Sequence, residues 1–338
     1  MQHNFWLGGY GEESICRMRF EAGQFELISR YPAFNASYLC FGRNNQTLYA
    51  VNETRRFLGE ETGSVHSFEP QGDGTLKQTS VKATGGTDPC HVSVVGNVLL
   101  VANYTSGSLS RFMLNEDGSI GAALPLIAPE GRGVHRERQE HSHVHQALQT
   151  PNGPIAFTDL GLDAISFIQE EDLASPEPAI VPVRTPAGFG PRHCAFPLYT
   201  DAWYALCELE SALLVYRGAP ENASLVGRLP LGGGDRFNAP AALRISPDGG
   251  YLAASVRGEN LIALFRITES GMPVKLTETW CGGDWPRDIQ FTPDGEYLLC
   301  ANERGNTLTA FRLENGRLKQ IGEYATPAPT CILFDESW

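Results

Sequence analysis

Seven times along the chain the same phrase recurs: an apolar strand opened by Pro or His, a hairpin turn, and a second apolar strand closed by a polar pair. Residues 286–303 show it whole. Pro286-Arg287-Asp288 opens, Pro293-Asp294-Gly295 turns, and Asn302-Glu303 closes after an apolar run from Tyr297 to Ala301. The Pro and Asx-Gly chemistry of such turns, seen again at Pro151-Asn152-Gly153 and Pro247-Asp248-Gly249, is what closes hairpins. The closing pairs fall at Gly9-Tyr10, Asn52-Glu53, Asn103-Tyr104, Asp159-Leu160, Cys207-Glu208, Val256-Arg257 and Asn302-Glu303. Third strands such as Leu261 to Arg266 and fourth segments such as Leu318 to Ile321 follow them. Repeats of this length and content predict an all-β, seven-bladed β-propeller occupying residues 1–338 as one domain. The chain starts on a second strand, Phe5 to Gly9, and finishes on an inner strand, about 329–334. The C-terminal strand is therefore expected to join the N-terminal blade and close the ring, leaving no open edge.

Bulk properties narrow the function. No run of about 18 apolar residues exists to span a membrane, and Met1-Gln2-His3-Asn4 lacks the pattern of a signal peptide. Eight cysteines are scattered singly with no CxxC pair, which fits reduced thiols of a cytoplasmic protein. A formal net charge of −13 argues against nucleic-acid and anionic-membrane partners. In so acidic a chain, arginines that gather are placed rather than incidental.

The repeat also says where they gather. The end of each second strand lies beside the start of its inner strand, so opening and closing residues share one rim of the central channel. Opening positions supply His91, His143, His145, Arg192, His193, Arg287 and Asp288; closing positions supply Asn52, Glu53, Asn103, Tyr104, Asp159, Glu208, Arg257, Asn302 and Glu303. His91, His145 and His193 are expected at one depth on consecutive blades. So many ionisable groups do not make a core. The run His141-Ser142-His143-Val144-His145 puts three imidazoles on one face if extended, a spacing like that of metal ligands. The run alone is a modest signal, and the rim is read as polar without metal or cofactor. Adjacent strand residues point oppositely, so Arg192 and His193 both reach the channel only if the strand begins at or after them. Glu208 fits a functional pairing with Arg192 as well as a structural one.

At these residues the chain resembles the seven-bladed lactonase family of bacterial 6-phosphogluconolactonases and fungal carboxymuconate-lactonising enzymes. The matching motifs are Arg138-Gln139, His143-Val144-His145, Asp159-Leu160-Gly161, Gly190-Pro191-Arg192-His193, Glu208-Leu209, Ser255-Val256-Arg257-Gly258 and Pro286-Arg287. The resemblance implies catalytic roles for His145, Arg192, Glu208 and Arg257. His143, His193, Arg287, Tyr104 and Asn103 are then expected to hold the substrate. It implies hydrolysis of a small anionic sugar lactone, chiefly 6-phosphogluconolactone, with His145 activating water and arginines anchoring the anion. Two other readings use the same rim: a muconate-type lactonising lyase or cycloisomerase, and a propeller that binds a protein or small ligand without catalysis. The segment from Ile120 to Glu137 stands out as an insertion, either a flap or a long loop.

Overall fold

A computed structural model of the protein describes residues 1–42, 45–233 and 237–335. Among them, seven four-stranded antiparallel sheets form the blades of a β-propeller. Blades 2 to 7 span residues 39–83, 89–123, 144–184, 191–230, 239–280 and 286–325. Blade 1 joins Gln2–Gly9, Ile15–Glu21 and Gln24–Tyr31 to the C-terminal strand Pro329–Phe334. That strand pairs antiparallel with Gln2–Gly9, from Phe5 opposite Phe334 to Gly9 opposite Pro329, so the chain's two ends close the ring as the repeat implies.

Both faces of a blade are covered by neighbouring blades, which is why the second strands read as unbroken apolar runs. Ala202–Cys207 and Tyr297–Asn302 are buried at every residue. The hydrophobic core is accordingly divided among the blade interfaces. Leu206, Leu213, Leu252 and Phe265 pack blade 5 on blade 6, while Phe5, Met18, Leu299 and Phe334 pack blade 7 on blade 1. The axis of the ring carries none of this apolar load and is left for polar side chains.

The hairpin turns follow the sequence closely. In Pro247-Asp248-Gly249, Asp248 Oδ1 accepts hydrogen bonds from Ser246 Oγ and Gly250 N, and Gly249 takes a positive φ of 70°. That left-handed conformation favours glycine.

The inner strands depart from regular pairing at one level. Where they open, blades 3, 4, 5, 6, 7 and 1 each carry a β-bulge, one residue more than the partner strand. Pro191 faces Cys207 and His193 faces Leu206, leaving Arg192 outside the ladder. Cys90, His145, Arg287 and Thr330 are left out in the same way. A bulge breaks strict alternation and re-aims a side chain. This corrects two sequence expectations. The blade 5 strand begins before Arg192, at Pro191, yet both Arg192 and His193 reach the channel. The blade 4 strand begins at Val144, so His145 sits level with Cys90 and Arg192, and Gln146 takes the level of His91 and His193.

The segment from Ile120 also differs from a simple insertion. Ile120–Ala123 is the fourth strand of blade 3, and the connection to blade 4 begins at Leu124. Its last turn is pinned by the fully buried Gln139, which donates to Leu160 O at 2.9 Å and accepts from His135 N at 3.1 Å.

Candidate active site

The bulged residues converge on the ring axis. A narrow cavity is lined by Cys90, His145, Arg192, Arg287 and Thr330 from this level, with Ser37 from the segment entering blade 2. Tyr38, His193 and Asp288 complete its lining. Beyond it, Arg244 bonds Asp288 at 2.8 Å and Tyr38 Oη at 3.3 Å, closing the channel with charge-assisted contacts. A roomier cleft on the opposite rim, lined by Pro151, Phe196, Trp203 and Pro220, gathers no arginine or histidine.

Glu208, just past the end of Ala202–Cys207, is the centre of charge. Its Oε1 accepts from Arg138 Nη2 at 2.5 Å. Its Oε2 accepts from Arg257 Nη2 at 2.7 Å and lies 3.2 Å from Arg192 Nε. Three guanidiniums thus share one buried carboxylate, a surplus of two positive charges. Burial alone would push the Glu208 carboxyl up, but Arg257, Arg192 and Arg138 together bring it down to about 2. Burial and then the like charge of Arg257 lower Arg192, against the pull of Glu208; a guanidinium nevertheless stays protonated at neutral pH. Arg257 is further fixed by its Nε on Ala239 O at 2.8 Å and by the Trp285 ring, 5.3 Å away.

Three imidazoles stand beside this cluster. His145 and His193 have ring centroids 5.6 Å apart, and His193 and His91 lie 6.4 Å apart. Burial first, and then neighbouring arginines, hold all three below the ordinary histidine range, His91 at about 3. They are therefore neutral. Arg192 Nη1 lies 3.2 Å from His193 Nε2 and only donates, so the His193 proton resides on Nδ1. Nδ1 of His91, His145 and His193 is buried in each case without a partner among the described residues.

Across the mouth the charge reverses. Arg287 stands between Glu303 at 3.3 Å and Glu53 at 3.6 Å, over the Tyr10 ring at 5.1 Å. Glu53 also accepts from Tyr10 Oη at 2.9 Å and from Ser37 Oγ.

Of the nine residues expected at the site, His145, Arg192, His193 and Arg287 line the cavity, and Glu208 and Arg257 form its charged lip. Tyr104 joins them through its hydroxyl, which accepts from Arg138 at 3.0 Å, and presents its edge to His145 at 5.7 Å. His143 does not reach the cavity. It stacks on Tyr104 at 4.7 Å, donates from Nδ1 to Tyr104 O, and points Nε2 at the Glu140 carboxylate. Asn103 is fully buried inside blade 3, where its amide donates to Ser108 and Ser110. Neither side chain lines the cavity, because a closing or opening position fixes depth but not side-chain direction. Arg138 is the residue the register missed. It lies in a connection with no counterpart in the other repeats, although the Arg138-Gln139 motif marked it.

The family profile for lactonases of the seven-bladed β-propeller type matches residues 4–334. The chain belongs to that family. It is thus a lactonase-type enzyme. It is 29% identical to 6-phosphogluconolactonase of Bacillus subtilis over 316 residues, covering 89% of this chain and 87% of that one. It is 28% identical to the protein of the same name from Formosa agariphila over 317 residues, covering 89% and 88%. The structure of a periplasmic gluconolactonase of Pseudomonas aeruginosa superposes with a TM-score of 0.91 at 27% identity, covering 99% of each chain. No helix of the described residues is long and apolar enough to cross a membrane.

Proposed function

We propose that the chain hydrolyses 6-phosphogluconolactone to 6-phosphogluconate at this cavity. The observation that carries the reading is the surplus of guanidinium charge around Glu208, set beside the neutral His145. The names of the two curated relatives support the choice of lactone.

Arg257 and Arg138 hold the phosphate at the lip, where Arg138 is partly exposed and free to turn from Glu208 to the ligand. The lactone carbonyl lies inward over Arg192. His145 takes a proton from water as the oxygen attacks the carbonyl carbon, and the oxyanion is stabilised by Arg192. Collapse breaks the bond to the ring oxygen, which leaves as a hydroxyl after receiving the proton from His145. The products are a carboxylate and one released proton, and the imidazole is neutral again. Glu208 holds the three arginines in place between turnovers. We also place the protein in the cytoplasm, supported by eight unpaired cysteines.

The test is hydrolysis of phosphorylated and unphosphorylated gluconolactone, each measured against its spontaneous rate, with a muconate-type dicarboxylate alongside. Preference for the phosphorylated lactone is expected. Equal rates on both lactones would remove the phosphate anchor from the reading. Turnover of the dicarboxylate alone would replace hydrolysis by a lyase.

A further inference from the structure

Beside the active-site mouth, on the connection entering blade 4, Glu140, His141 and His143 bring one ligand atom each within 4.8 Å of one another. Glu140 Oε1 lies 3.3 Å from His143 Nε2 and 3.6 Å from His141 Nε2. Four ligands around a tetrahedral zinc, bonded at about 2.0–2.1 Å, stand roughly 3.3–3.4 Å apart. The Glu140–His143 edge already has that length, and the Glu140–His141 edge exceeds it only slightly.

The tautomers agree with the distances. His143 Nδ1 is 2.9 Å from Tyr104 O and His141 Nδ1 is 2.6 Å from Ser142 O. A carbonyl oxygen only accepts, so both Nδ1 atoms carry hydrogen, and in the neutral rings both Nε2 atoms carry a lone pair. Imidazoles that bind metal are held in this way, with the second nitrogen bonded to a backbone carbonyl. His143 is 5% exposed, and among the described residues its buried Nε2 faces only the Glu140 carboxylate, at 3.3 Å.

The ligand segment is also fixed before any ion arrives. Asp159 accepts from Ser142 Oγ at 2.6 Å and from His143 N at 2.8 Å. Gly107 and Gly161 press against it from either side, where a Cβ would overlap the Ser142 or His141 carbonyl oxygen. Glu140 and His141 are exposed, so the site is open to solvent for entry and for a water ligand.

We infer that Glu140, His141 and His143 form a binding site for a divalent cation of the zinc class, with water filling the remaining position. The ligand set, two imidazoles and a carboxylate, belongs to zinc and its neighbours rather than to calcium or magnesium. The site is separate from the cavity and does not depend on the reaction proposed there.

The test is calorimetric titration of the chelator-treated full chain with Zn²⁺, repeated with Co²⁺ followed by absorption. One ion per chain with micromolar or tighter affinity is expected, weakened about tenfold or more in both His141→Ala and Glu140→Gln. The Co²⁺ spectrum should show d–d bands without thiolate charge transfer. In the unaltered chain, Zn²⁺ should protect His141 from diethyl pyrocarbonate, a readout that needs no variant to fold. Affinity weaker than micromolar, affinity unmoved by both substitutions, a thiolate band, or unprotected His141 would each overturn the site.

Discussion

Apart from Arg138, which enters from the connection before blade 4, the two halves of the channel mouth are built at the same repeat positions and carry opposite charge. On blades 5 and 6 and the connection before blade 4, one carboxylate, Glu208, is shared by three arginines; across the mouth, one arginine, Arg287, is shared by Glu53 and Glu303. The propeller therefore fixes where side chains stand but not their sign, and the sign differs from blade to blade. A substrate with an anionic end and a hydroxyl-rich end meets a mouth that orients it. The arginine half draws the anion while the carboxylates of the other half accept from hydroxyls.

The division of labour between the two halves is tested most directly by removing the proposed base and its counterpart. His145→Ala should lower lactone turnover by about 10²–10⁴, with the thermal melt unchanged. Arg287→Ala should cost far less turnover; an equal loss from the two would show that the halves do not divide the work. Next in size is stability. Glu208→Gln leaves three arginines without their counter-charge and should cost about 3–5 kcal/mol in urea unfolding. Glu53→Gln should cost visibly less, because Arg287 keeps Glu303.

How much of this could be read from the chain follows from what the repeat encodes. Apolar runs and Pro-Asx-Gly turns state strand and hairpin directly, so seven blades and a ring closed by the C-terminal strand were legible. The rim was legible too, because Glu208 and Arg192 occupy fixed places in the phrase. The bulge was not, since the residue it releases has no fixed type: it is Cys90 in one blade, His145 in the next and Arg192 in the third. Counting alone therefore set His145 one level too deep. Asn103 shows a second limit. Its depth was right, but Ser108 and Ser110 hold its amide inside the blade.

A smaller effect is expected in acid. In the unfolded chain His91 and His193 take up protons near pH 6.5, whereas in the folded protein they stay neutral well below that. The unfolded state then binds more protons, so stability falls as pH drops below about 6.5. Glu208 keeps its charge until about pH 2, so its ion cluster persists over that range. Urea midpoints measured between pH 7.5 and 5 should slope downward, and His193→Gln should flatten the slope. A flat profile in the unaltered protein would mean that the histidine row is not buried neutral. The smallest effect tests the field of the whole mouth. Glu53→Gln removes a negative charge from the far half and should lower KM for the phosphorylated lactone a few-fold relative to that for the unphosphorylated one, which feels only the lost hydroxyl acceptor.

The bulge has a wider consequence. A residue outside the ladder has no pairing duty, so its chemistry can be rewritten without disturbing the sheet behind it. Six of the seven blades offer such a socket to the axis, and in blade 6 it holds only Ala241 and Ala242, set against the single Ser255. Arg192 of the cavity donates to the Ala241 carbonyl, so a longer side chain installed at Ala241 would stand beside that arginine, which makes the position a natural handle for redirecting the enzyme to other lactones.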